Sequence, residues 1–185
     1  MARGDRSEFA EFVHARAGAL HRAANLMVGD PQLAQDLVQE ALTKTYVAWP
    51  RLRDPRNAEA YCRKAITTTA ISWFRRKSWH NERPTEHLPD ESRAAGPEAS
   101  VTERDAVWGA LQQLPPRQRA ALVLRFYEDL TEAQTAEAMG CAVGTVKSQV
   151  SAALAKLRTQ LGEDVELLST KEWADARTEE GTVTR

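Results

Sequence analysis

"LTEAQTAEAMGCAVGTVKSQVSAALAKLR", residues 130–158, reads as helix, tight turn, helix. Thr131 with Gln134 three residues on is a capping box, in which each side chain satisfies the other's backbone N–H. Gly140 stands where the first helix must end, and glycine enters the left-handed turn without a Cβ clash. The second helix is expected from near Val143 to about Leu161. Val146, Val150, Ala153/Leu154 and Leu157 form its buried stripe, and Thr145, Lys147, Ser148, Gln149, Ser151, Lys156 and Arg158 are assigned to the opposite face. From Ala138 to Gly162 there is no acidic residue, although the chain holds 26 acids against 25 Lys+Arg. A helix-turn-helix sets its second helix in the DNA major groove, where carboxylates are repelled by phosphate and Lys, Ser and Gln reach phosphates or base edges. An ordinary helical hairpin with a solvated, Lys-bearing face shows the same geometry. Charge segregation favours DNA: residues 163–185 carry seven acids and three bases, and residues 84–105 six acids and two bases.

Outward from this motif the apolar spacing stays helical. Phe9, Phe12/Val13, Ala17, Leu20, Ala24 and Met27 predict a first helix, stopped by "GDP" at 29–31. Asp30 as N-cap and Pro31 at the first helical position start the second, which runs through Leu37/Val38 and Ala41/Leu42 to Trp49-Pro50. A third helical stretch covers about Asn57–Trp79, with a kink or short loop expected near Thr67–Thr69, because three consecutive threonines are poor helix formers. Residues 81–100 hold three prolines and no periodicity, which predicts a linker. Helical pattern returns from Val101, breaks at Pro115-Pro116 and continues through "RQRAALVLRFYEDL". No strand alternation is visible. The expectation is an all-α fold of two small helical domains, residues 1–80 and 101–162, joined by a flexible linker at 81–100, with an acidic tail at 163–185. Each half is expected to bury a modest core of its own.

Other chemistries find little support. Cys62 and Cys141 stand far apart in no metal spacing, which argues for a reducing compartment and against a disulfide scaffold or a zinc site. His14/His21 and His80/His87 repeat at seven residues, again without a metal-ligand spacing. No phosphate loop or nucleophile–base pairing points to catalysis, and no cofactor is expected. Asp5, Glu8 and Glu11 occupy the place of a signal-peptide core, and no apolar run approaches the ~20 residues that span a bilayer. These features predict a soluble cytoplasmic protein without membrane insertion.

The stretch "ALQQLPPRQRAALVLRFYEDLTEAQTAEAMGCAVGTVKSQVSAALAKLR" resembles region 4 of the extracytoplasmic-function (ECF) group of bacterial RNA polymerase sigma factors, through "LPPRQR", "LRFYEDL" and "GTVKS" in that order. Independently, "DPQLAQDLVQEALTKTYVAW" is similar to region 2.2 of that family, and "AYCRKAITTTAISWFRRKSW" to regions 2.3 and 2.4. The resemblance covers about residues 8–160. It implies a promoter-specificity subunit whose partners are core RNA polymerase, through its β′ clamp and β subunits, promoter DNA, and in many members an anti-sigma factor. By the same resemblance Asp36, Leu37, Gln39, Glu40, Thr43 and Tyr46 would dock on the clamp. Thr68, Thr69, Ser72, Trp73, Arg75, Arg76 and Lys77 would read and melt the −10 element, where an unpaired base offers its face to an aromatic ring. Of Trp73 and Trp79, Trp73 is expected to be the buried one.

Thr145, Lys147, Ser148, Gln149 and Ser151, with Lys156 and Arg158 on the backbone, would bind the −35 element. The sequence departs from the family's habit at Ala142, where a serine N-cap is usual, at Gln149, where an arginine often stands, and at Ala152, often basic. Weaker phosphate attraction follows, or a −35 element read through an adenine contact by Gln149. A dimeric helix-turn-helix repressor and a DNA-free adaptor compete with this reading, but neither gives a role to the helix at 31–49 or to the Trp- and Arg-rich segment at 73–79.

Overall fold

Asp30 opens the second helix through its own side chain. The carboxylate accepts the Leu33 N–H at 2.9 Å, and Pro31 fills the first helical position, where a backbone donor has no partner anyway. The structure, a computed structural model, describes residues 3–52, 55–81 and 103–162. Helix α1 spans Arg3–Val28 and α2 spans Pro31–Ala48, followed by one 3-10 turn at Trp49–Arg51. Helix α3 covers Pro55–Asn81, α4 Glu103–Gln112, α5 Pro116–Leu122, α6 Glu132–Met139 and α7 Val143–Leu161. The all-α expectation holds across the described residues. The expected linker falls on residues that lie outside them, apart from Asn81 at the end of α3, and the acidic tail lies wholly outside.

Two local expectations are corrected. Helix α3 does not break into a loop at Thr67–Thr69; it is continuous over 27 residues. The Thr67 hydroxyl donates to the Arg63 carbonyl at 2.9 Å and the Thr68 hydroxyl to the Lys64 carbonyl at 2.8 Å, so the groups that usually compete with the helix are absorbed by it. In the other half, the helical pattern read through to Leu130 ends earlier. Val123–Tyr127 forms a π turn, with the Glu128 N–H donating to the Val123 carbonyl at 3.0 Å. Asp129 follows at φ 52, a left-handed position that aspartate tolerates better than most residues.

The capping box at Thr131 and Gln134 is present in both directions, and Gly140 takes φ 62 where α6 ends. Ala142 sits at the N-cap of α7 in extended conformation without any side-chain cap. The helix–turn–helix therefore has its boundaries where the sequence placed them.

The buried residues form one cluster rather than two. Leu26, Leu37 and Ile66 from the first half and Leu111, Leu124 and Leu157 from the second belong to the same core. Helix α3 packs on α1 and α2 at one side and on α5 and α6 at the other. At the far end of α1, the rings of Phe9, Phe12, Tyr46 and Trp49 meet at centroid distances of 5.0–6.2 Å, fixing α1 against the end of α2.

Two stability changes follow. Leu157 is fully buried, and truncation to alanine should cost about 2–5 kcal/mol in urea unfolding. Ala142→Ser should supply the missing cap and add about 1 kcal/mol, measured as a higher urea midpoint at unchanged slope.

Candidate nucleic-acid interface

Helix α7 buries Val146, Ala153 and Leu157 and leaves the rest of its circumference half or fully open. At about 100° per residue, the seven polar residues assigned to one opposite face divide between two flanks. Lys147, Ser151 and Arg158 lie on one side of the buried stripe. Thr145, Gln149 and Lys156 lie on the other, with Ser148 between. Lys147, Ser148, Ser151, Lys156 and Arg158 are exposed; Thr145 and Gln149 are half-buried. The Ser148 hydroxyl donates to the Thr145 carbonyl at 2.9 Å, which ties it to the backbone while leaving its lone pairs outward.

The Lys147 flank borders a groove. Phe126, Val150 and Leu154 contribute its apolar lining, and Arg125, Lys147 and Arg158 its cations. Glu132 enters from α6 and pairs with Lys147 at 3.4 Å. Sequence reasoning on α7 alone could not find this carboxylate, because it stands 15 positions earlier and is delivered by the turn. Both side chains are largely exposed, at 62% and 43%, so the pair is worth at most about 1 kcal/mol and a phosphate can displace it.

On α3 a second polar stripe is exposed. Thr68, Ser72, Arg75 and Arg76 share one side of the helix, with Thr68, Arg75 and Arg76 open to solvent and Ser72 half-buried. The Ser72 hydroxyl donates to the Thr69 carbonyl, and Arg76 reaches back to the Ser72 oxygen at 3.4 Å. Trp73, expected to be the buried one of the pair, is half-buried against the core. Tyr61 is exposed on the same stripe as Thr68, an aromatic face that the sequence did not single out. Its signal was there, seven residues before Thr68, but a tyrosine between Ala60 and Cys62 reads equally as core. Lys77 and Trp79 lie in the last turns of α3, and their side chains fall outside what the structure describes.

On α2, Asp36, Glu40 and Thr43 line one stripe, flanked by Gln39 and Tyr46. Leu37 does not belong to it: the side chain is completely buried, so it serves the core and cannot touch a partner. Tyr46 is only partly available, since its ring edge packs on Phe9 at 5.0 Å. Val47 was missed; it is 75% exposed and continues the Asp36–Glu40–Thr43 stripe as an apolar end. Lys44 joins this face to α3. Its ammonium donates to Glu40 at 2.6 Å and to the Thr69 hydroxyl at 3.4 Å.

Among the described residues no group of three or more His, Cys, Asp or Glu is placed to hold a metal ion. Cys62 is buried, and desolvation pushes its thiol above the usual range. Cys141, in the turn before α7, is half-buried.

Neutralising the acid beside Lys147 gives a direct test of this surface. Glu132→Gln should tighten binding of the chain to duplex DNA several-fold, because Lys147 then gives up no carboxylate when it meets phosphate. Lys147→Glu should weaken binding and flatten the salt dependence by about one unit of log K per log salt, as one cation fewer meets phosphate.

Comparison with known proteins gives the family. The models for Sigma-70 region 2 and for Sigma-70, region 4, match residues 12–80 and 104–157. The chain is 42% identical over 161 residues to the RNA polymerase sigma-E factor of Streptomyces avermitilis, covering 87% of this chain and 89% of that protein. It is 31% identical over 159 residues to the ECF RNA polymerase sigma factor SigM of Mycobacterium tuberculosis, covering 86% and 80%. The sigma factor RpoE of Bartonella quintana, solved in complex with the anti-sigma factor NepR, superimposes with a TM-score of 0.64 over 85% of this chain and 98% of that one, at 24% identity. That last likeness is one of fold. Two region matches in the right order, with relatives of 42% and 31% identity over most of both chains, place the chain in the extracytoplasmic-function group of the sigma-70 family of RNA polymerase sigma factors.

Proposed function

We propose that the three exposed stripes divide the work of a promoter-specificity subunit. The α2 stripe, Asp36, Gln39, Glu40 and Thr43 with Val47, docks on the β′ clamp of core RNA polymerase. The α3 stripe, Thr68, Ser72, Arg75 and Arg76 with Thr69 and Trp73 beside it, takes the −10 element as it melts. Helix α7 takes the −35 element in the major groove, with Thr145, Lys147, Ser148 and Gln149 nearest the bases and Ser151, Lys156 and Arg158 along the backbone. The division into a unit at 1–80, a linker at 81–100, a unit at 101–162 and a tail at 163–185 belongs to the same reading. The observation that carries it is the presence, in one chain, of an acid-free recognition helix and a separate stripe of hydroxyls and arginines on α3.

The chain then supplies recognition, and the chemistry of RNA synthesis belongs to the polymerase. It works in the cytoplasm beside that enzyme; no described helix is long and apolar enough to cross a membrane. An anti-sigma factor is included as a partner because the Bartonella relative was solved bound to one. Exposed Val47 and Phe126 offer apolar footholds for such a protein.

Mixing the purified chain with bacterial core polymerase and mapping transcript 5′ ends on genomic DNA tests the proposal. Discrete starts should appear with the wild type. They should be lost on Asp36→Arg through failure to bind core, and on Lys147→Glu with core binding intact. Starts that survive both substitutions would overturn the residue assignment.

A further inference from the structure

The groove between α7 and the π turn has an apolar floor and a basic rim. Phe126, Val150 and Leu154 form the floor, and Phe126 is 37% exposed. Arg125, Lys147 and Arg158 stand around it against one carboxylate, Glu132. The Arg125 guanidinium donates to the Leu130 carbonyl and Lys147 pairs with Glu132, while Arg158 makes no ion pair among the described residues. The groove encloses about 280 Å³, just under the ~300 Å³ at which small-molecule sites begin, so it suits one or two peptide side chains better than a cofactor. An apolar floor under a net positive rim selects an acidic peptide with apolar anchors.

The chain carries such a peptide next to the groove. Residues 163–185 follow α7 directly and hold seven acids against three bases. They begin "EDVELL", in which Glu163, Asp164 and Glu166 are interleaved with Val165 and followed by Leu167 and Leu168. Gly162 takes φ 74 at the end of α7, a left-handed conformation that turns the chain off the helix axis. From Leu161 back to Val150 is ~16 Å at 1.5 Å per helical residue, a distance that about five extended residues cover at ~3.3 Å each. Leu167 and Leu168, five and six positions past Gly162, therefore have enough chain to reach the groove, and the three acids pass Arg158 on the way. A segment tethered this closely has an effective concentration on the order of millimolar, so even a weak contact is populated.

We propose that residues 163–168 dock back into this groove of the same molecule, Leu167 and Leu168 on its apolar floor and the acids on its basic rim, and so compete with DNA for Lys147 and Arg158. The competition rests on the reading of α7 as the −35 helix; the docking does not. Helix α7 is free of acids along its length, and its cations are then held by carboxylates from just beyond its end until phosphate displaces them.

Two full-length variants separate docking from plain repulsion between the tail and DNA. One is Glu163→Gln/Asp164→Asn/Glu166→Gln, and the other is Leu167→Ser/Leu168→Ser, which changes no charge. Matching helical circular dichroism shows that each is folded. Duplex DNA affinity at low salt should rise about fivefold in the first and about threefold in the second. A gain in the charge variant alone overturns docking, because an undocked acidic tail repels DNA without needing its leucines. Contact is read without DNA by fluorine NMR on chain labelled with 4-fluorophenylalanine, in which Phe126→Leu identifies the Phe126 signal among the four phenylalanines. That signal should move between the wild type and the leucine variant. An unmoved signal means that the groove stays open for another protein and overturns the proposal, as does a shift that grows with protein concentration, the mark of a second copy's tail. Failure of wild type and variants to bind DNA, with or without core polymerase, rejects the −35 reading of α7, while the fluorine signal judges docking independently.

Discussion

The continuity of α3 through its three threonines is the constraint on which the rest depends. Thr67 is fully buried, and its hydroxyl is taken up by the Arg63 carbonyl one turn back. A break at that point would uncouple Arg63, which meets Glu128, from Phe74, which meets Arg119. It would also turn Thr68, Ser72 and Arg75 out of one stripe. Because α3 stays helical throughout, its inner side buries Ala58, Cys62, Ile66 and Ala70 along the common core while the outer side keeps hydroxyls and arginines open. Back-bonded threonines are weak helix formers, so tertiary burial must hold this stretch helical. The same burial fixes the geometry of the reading surface.

Local chemistry was legible in the sequence, and non-local chemistry was not. Asp30, the Thr131–Gln134 box and Gly140 each set a helix boundary through atoms within three or four residues, so their effect could be read from spacing alone. The stripe of Val146, Ala153 and Leu157 likewise needs only the helical period. The π turn at Val123–Tyr127 has no such signature. It is an insertion of one residue into a helix whose apolar pattern continues, and only its outcome, Tyr127 and Glu128 meeting the first half, shows what it does. The single core also escaped the sequence. A proline-containing segment signals separation along the chain and says nothing about whether the parts on either side of it pack together.

Candidate site residues followed the same division. Exposed polar positions on α3 and α7 could be found because the helical period separates them from apolar ones. Leu37 could not be told from a docking residue by its neighbours in sequence, since it lies beside Asp36 and within one turn of Glu40; burial separates them. Val47 and Tyr61 were hidden for the opposite reason. Apolar and aromatic residues are assigned to the core by default, and only packing reveals those that the core leaves out.

Helices α3 and α7 manage charge by different routes. Helix α7 carries no acid of its own, yet the fold returns one, Glu132, to Lys147 on the flank that borders the Phe126 groove. Free of DNA, that lysine is held in place and partly neutralised; a phosphate then competes with a weak, solvent-screened partner. On α3, Arg75 and Arg76 stand open, while Lys44 of α2 is drawn to Glu40. Lys44 also touches Thr69, so a protein that engages Glu40 alters the partner of a group lying beside the −10 stripe. In the proposed division of work, Lys44 is thus a side chain that touches both the docking stripe and the edge of the −10 stripe.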